Sequence, residues 1–137
     1  MITLFEQISQ VLGLPAGLLA AMCSVESGHN PNAIHPADHG RSSFGMCQVK
    51  FKTAQDVMPS LLISDLFKPD VNVTAAALVL KKKLDKYKTV SEALASYNAG
   101  HVKYKDDGSI KNMQYVRKVL KEWKIQKRAL SLSKVGL

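Results

Sequence analysis

Apolar positions recur at intervals of three and four along most of this chain, the repeat of helices that each turn one face inward. Leu4, Ile8, Val11 and Leu12 share one side of a first segment, Met1 to Leu12, which Thr3 is placed to cap. After Gly13, the positions Leu14, Leu18, Ala21, Met22 and Val25 mark the face of a second helix. Pro15 suits its first turn, where a missing N–H is no loss, and Gly28 suits the residue just past its end. The periodicity then stops. His29 to Ser43 is rich in Asn, Pro, Gly, Ser and His and predicts a long irregular loop, and Ser43 to Val49 a short extended or turn segment.

Phe51 to Met58 predicts one short helix ended by Pro59. A longer one starts near Asp70 or Asn72 and carries Val73, Ala77, Leu80, Leu84 and Tyr87, with Lys81, Lys82, Lys83 and Lys86 on a solvated opposite face. Thr89-Val90-Ser91-Glu92 has the reciprocal capping pattern of a helix start. That helix carries Ala93, Leu94 and Tyr97 and stops at Gly100. His101 to Lys111 is polar and loop-like, and a last helix from about Asn112 presents Val116, Val119, Leu120, Trp123 and Leu130 on one side. No alternating run is long enough to build a sheet. The fold class predicted is mainly α, with at most a short irregular β segment.

The chain has 137 residues, enough for one domain (1–137) with a real core, and its 46% hydrophobic and 22% charged content is that of a globular protein. No apolar run reaches the roughly 18 to 20 residues that span a bilayer. With Glu6 and no Lys or Arg before Arg41, the N-terminus lacks the basic start of a secretory signal, so delivery to an outer compartment is expected to depend on a partner or on release. The net charge of +8 is uneven: residues 1–110 hold 11 Lys or Arg against 10 Asp or Glu, residues 111–137 hold 8 against Glu122 alone. The segment from about 112 to 137, with Arg117, Lys121, Lys124 and Arg128, therefore predicts attraction to an anionic surface. No motif for specific nucleic-acid recognition accompanies it.

Candidate chemistry begins with Glu26, in the last turn of the second helix. There the negative end of the helix dipole and apolar neighbours both raise a carboxyl pKa, as an acid catalyst near neutrality requires. Cys23 and Cys47 are too few for a disulfide scaffold, and Cys23, on an apolar-rich helix, reads as a small buried thiol. His29, His35, Asp38 and His39 match no compact zinc spacing, so no metal or other cofactor is expected. A cysteine peptidase using Cys47 with a histidine is a weaker alternative.

Glu26-Ser27-Gly28, Gly45-Met46-Cys47-Gln48, Tyr97-Asn98-Ala99-Gly100 and Tyr115-Val116 follow one another at a spacing that resembles the catalytic domain of lytic transglycosylases and goose-type lysozymes, from about Phe5 to Trp123. The resemblance implies a lysozyme-like muramidase fold, acting on peptidoglycan glycan strands as a monomer. It makes Glu26 the single catalytic acid. Gly45 and Gln48 become a Gly-x-x-Gln motif whose glycine admits the sugar and whose amide bonds it, and Tyr97, Asn98 and Tyr115 line the cleft. Ser27 and His35 are further candidates for substrate binding.

The implied reaction cuts the β-1,4 bond from N-acetylmuramic acid to N-acetylglucosamine and leaves a 1,6-anhydro end. Bacteriolytic action on the wall, as by a phage lysis or virion enzyme, is the setting this suggests by analogy. Several positions depart from the family. His35-Pro36 stands where many members have Ser-Pro, leaving a supporting hydrogen bond to Glu26 to His35 or to no residue. The stretch from Pro36 to Gln48 is long and holds Asp38, His39 and Arg41, Cys47 replaces a common Met, and no acidic residue occurs from Ile110 to Gln114. Two alternatives stay open: a lysozyme-type hydrolase with Asp38 activating water, and a basic membrane-active or wall-binding protein working through the last helix.

Overall fold

The computed structural model describes residues 3–136. Among these residues are six α-helices, a 3₁₀ turn and a three-stranded sheet of two-residue strands. Helix α1 (Leu4–Leu12) starts under Thr3, whose Oγ1 accepts the Glu6 amide at 3.2 Å. Met1 and Ile2, placed in this helix by the sequence pattern, lie outside the described residues. Helix α2 (Leu18–Ser27) begins three residues later than Pro15 predicts. The reason is local: Gly17 adopts φ 83° in a turn pressed against the last helix, where a Cβ would stand 3.1 Å from that of Gln126. The chain bends there before it can coil.

Strands β1 (Ile34–His35), β2 (Ser43–Phe44) and β3 (Val49–Lys50) form an antiparallel sheet in chain order, with Ile34 opposite Phe44 and Phe44 opposite Val49. They give the irregular segment a frame. Helix α3 (Phe51–Val57) follows directly; the 3₁₀ turn Ile63–Phe67 then leads into α4 (Pro69–Lys86), with Pro69 in the first turn. Helix α5 (Val90–Ala99) has the predicted cap, with Thr89 Oγ1 accepting the Glu92 amide at 3.1 Å. Helix α6 (Met113–Lys134) closes the fold against α2.

The core is centred on α2, whose Leu18, Leu19, Ala21, Met22 and Cys23 are fully buried. Val73, Ala76, Ala77 and Leu80 of α4 and Val116 and Val119 of α6 belong to the same buried cluster. Trp123 adds a tie, donating from Nε1 to the Ala16 carbonyl at 2.8 Å.

Two features of the core correct or extend the sequence picture. Cys23 and Cys47 are joined in a disulfide, so Cys23 is not a free buried thiol and Cys47 offers no nucleophile to a peptidase. The pairing escaped a reading based on Cys number because one bond, closing 24 residues of chain, staples a single loop to the central helix. The second feature is Asn72, fully buried on α4. Its Nδ2 donates to the carbonyls of Phe44 and Leu66, both at 2.8 Å, and its Oδ1 accepts the Cys47 amide at 2.8 Å. Two backbone groups of the irregular segment and one of the 3₁₀ turn thus find partners on one helix, as burial demands.

Candidate active site

Glu26, in the last turn of α2, faces a cleft of about 640 Å³ between the small sheet, α3, α4 and α5. His35, Gln48, Tyr97 and Asn98 also line it. Burial pushes the Glu26 carboxyl from its usual 4.5 up to about 7, the first effect of its position at the core's edge. Three neighbours partly oppose the rise: the Asn98 amide and the Tyr115 hydroxyl acting as donors, and the positive charge of Lys50. His35 is not among them, so the supporting hydrogen bond expected of that position does not pass to it. Glu26 is thus half protonated near neutrality, with donors in place for its ionised form.

Ser27, Gly45 and Tyr115 do not line the cleft. Ser27 Oγ donates to the Met46 carbonyl at 2.6 Å and accepts the Asn30 amide at 2.9 Å, so it ties the end of α2 to the turn after β2. Gly45, at φ 77°, is required by packing: a Cβ there would collide with the Leu66 carbonyl and the Asn72 amide. Its close neighbours are the 3₁₀ turn and α4. Tyr115 stands behind Glu26, its hydroxyl buried and without a partner of good hydrogen-bond geometry, yet near enough to favour the carboxylate. Burial and the Glu26 charge push the Tyr115 phenol far up, so it stays a neutral donor.

Gln48 keeps its place on the cleft wall with one change. Its backbone lies in the left-handed region at φ 53°, and its Nε2 donates to the carbonyls of Gly45 at 3.0 Å and Ala33 at 3.2 Å. The Gln48 amide nitrogen is therefore spent on the loop, and its Oε1 is the atom available to a ligand. Tyr97 Oη likewise donates to the Cys47 carbonyl at 2.8 Å, which leaves the ring as its contribution to the cleft.

Asp38 is not on the cleft wall, although Ala37 and Arg41 are. The carboxylate that does line it besides Glu26 is Asp56 of α3, which sequence reasoning missed. Arg41, Lys50 and Lys83 were also missed and place three cations on the cleft wall. Lys83 Nζ donates to the Gly100 carbonyl at 2.9 Å and so closes the end of α5 onto α4. Asn72 carried one readable signal: with Ala76 and Leu80 it falls at four-residue steps along the apolar stripe of α4, where a polar side chain needs a reason. His29 stacks on Phe5 at 5.0 Å with its Nε2 3.0 Å from the Ala20 carbonyl.

A mainly helical domain whose central helix delivers one raised carboxyl to a polar cleft, with a Gly-x-x-Gln turn and a Tyr-Asn pair around it, is of the lysozyme-like class. More narrowly, residues 3–119 match the family model of the transglycosylase SLT domain, and the chain belongs to that family. Its fold is also similar to the X-ray structure of an inactive Glu-to-Gln mutant of lytic transglycosylase Slt from Pseudomonas aeruginosa, with a TM-score of 0.76 at 21% identity. That match covers 93% of this chain but 24% of the other, so this chain spans about a quarter of that protein's length. No curated protein matches the sequence.

Proposed function

We propose that the protein is a lytic transglycosylase that cleaves peptidoglycan between N-acetylmuramic acid and N-acetylglucosamine, with Glu26 as acid and then base. The observation that carries this is the Glu26 carboxyl itself, held at about 7 on the wall of a cleft that a glycan strand could enter. Protonated Glu26 gives its proton to the glycosidic oxygen, and the bond to the anomeric carbon breaks through an oxocarbenium-like state. The C6 hydroxyl of the muramyl ring bonds to that carbon, and Glu26, now a carboxylate, takes the hydroxyl proton. One carboxyl placed near neutral pKa serves both halves. Asn98, Lys50 and Tyr115 favour its charged form in between. Gln48 Oε1, His35 and the Tyr97 ring are left to orient the sugars.

The first test is mass spectrometry of muropeptides released from purified sacculi. Transglycosylation leaves 1,6-anhydro ends, and products heavier by one water would instead establish hydrolysis, with Asp56 rather than Asp38 as the carboxylate to examine.

The reading extends to where the enzyme works. Helix α6 turns Arg117, Lys118, Lys121, Lys124 and Arg128 outward, with exposed Ile125 and Leu132 among them, while Glu122 lies to the side and accepts from Gln126. This face suits an anionic envelope surface beside the wall. A buried disulfide suits an oxidising, wall-side compartment, consistent with release or delivery as in phage lysis. Pelleting with phosphatidylglycerol vesicles is expected at about 0.05 M salt and to fall severalfold at about 0.5 M, as screening shortens the reach of surface charge. The quadruple change of Arg117, Lys121, Lys124 and Arg128 to Gln should abolish it.

A further inference from the structure

We infer that Asn112 is a positioning residue: it fixes which end of the Asn98 amide meets Glu26. The chain of hydrogen bonds starts from a group with no ambiguity. The Ala95 carbonyl can only accept, and Asn112 Nδ2 donates to it at 3.1 Å. The second hydrogen on the same nitrogen goes to Asn98 Oδ1 at 2.9 Å. Were the Asn98 amide reversed, its NH2 would meet the NH2 of Asn112, two donors with no acceptor between them. Asn98 therefore keeps its oxygen toward Asn112 and its NH2 toward Glu26, the sense in which it stabilises a carboxylate.

The local cost of this arrangement marks it as more than a helix start. Asn112 is the N-cap of α6, where Asn normally bonds its own helix, yet it makes no such side-chain bond. Its Oδ1 is also buried without a partner. Both its hydrogens are directed away from α6, to α5. The other groups that face Glu26 are Lys50 of β3, Tyr97 of α5 and Tyr115 of α6, and none of them touches the Asn98 oxygen among the described hydrogen bonds.

This role rests on the proposed duty of Glu26 as acid and base, but its test does not need turnover. The carboxyl carbon of Glu26, in protein labelled with 13C-glutamate, is titrated by NMR in the wild type, Asn112→Ala, Asn98→Ala and the double variant. Asn112→Ala should raise the midpoint by about half to one pH unit, because the freed Asn98 amide no longer holds its donor to the carboxylate. In the Asn98→Ala background the same change should move it no further. A midpoint unmoved by Asn112→Ala, with or without a lower melting temperature, overturns the proposal, and so do shifts that simply add.

Asn112→Asp, which preserves a good capping residue, covers the case in which the alanine variant does not fold. It can only accept while ionised, so it turns the Asn98 NH2 away from Glu26, and its effect should be larger with Asn98 present than with alanine there. Equal effects in the two backgrounds overturn the proposal. Muropeptide release by the wild type is judged separately, so failure of the proposed activity and failure of this positioning role give different results.

Discussion

Glu26→Gln is expected to remove muropeptide release, by about a thousandfold or more, and at the same time to make the protein more stable at pH 8. The first half follows from asking one group to give a proton and take one back. General acid–base catalysis by a single placed group contributes about a hundred- to ten-thousandfold. Glutamine keeps the shape and the hydrogen-bonding capacity of the side chain but can do neither step. The second half follows from linkage. Folding raises the Glu26 pKa from 4.5 to about 7, so between those values the folded protein holds a proton that the unfolded chain has released. Stability contributed by this site is therefore greatest at and below pH 4.5, falls as the pH rises, and is lost once both states are ionised above 7.

Because the cleft admits some water to the carboxyl, the loss is about 2 to 3 kcal/mol, and the neutral glutamine avoids it. Thermal melts at pH 4 and pH 8, alongside release assays, check both parts. In the wild type, initial rates should also fall as the pH rises through about 7, where the acid form is depleted. A Gln variant that still releases muropeptides, or that melts at pH 8 no higher than the wild type, contradicts the assignment.

The helices were legible because each carries its own instructions. Thr89 and Glu92 cap α5, Gly28 and Gly100 end α2 and α5, and the apolar stripes of α2, α4 and α6 are regular. Glu26 was legible for the same reason, since its neighbours along α2 already imply burial at a helix end. What sequence periodicity could not supply were bonds between distant elements. That packing also requires a glycine at position 45 emerges only once Asn72 is seen pressed against it, 27 positions along the chain. Gln48 reads as an amide for substrate until the carbonyls of Ala33 and Gly45 are found to occupy its nitrogen. Asp38 was the loop carboxylate that the sequence offered; in the fold its neighbours Ala37 and Arg41 line the cleft while Asp38 does not, and the place is taken by Asp56 of α3, which no motif marks.

Removing the Cys23–Cys47 bond is expected to lower the melting temperature by on the order of 10 °C while leaving the cleft at 25 °C close to its normal working geometry. The chain closed by the bond spans 24 positions, and closing a loop of that length in the unfolded chain is worth about 3.5 kcal/mol on the chain-entropy account. For a domain of this size each kcal/mol corresponds to roughly 3 °C. The native loop, by contrast, does not depend on the bond alone. The Cys47 amide donates to Asn72 Oδ1 and its carbonyl accepts from Tyr97 Oη, both at 2.8 Å, so Gln48 next to it stays anchored by α4 and α5. Reduction thus acts mainly on the unfolded ensemble. Melts of the oxidised protein, the reduced protein and the Cys23→Ala/Cys47→Ala double variant, each paired with initial rates of muropeptide release, separate the two effects. An unchanged melting temperature would mean that the bond adds no stability, and a rate lost in proportion to stability would mean that Asn72 and Tyr97 do not hold the loop without it.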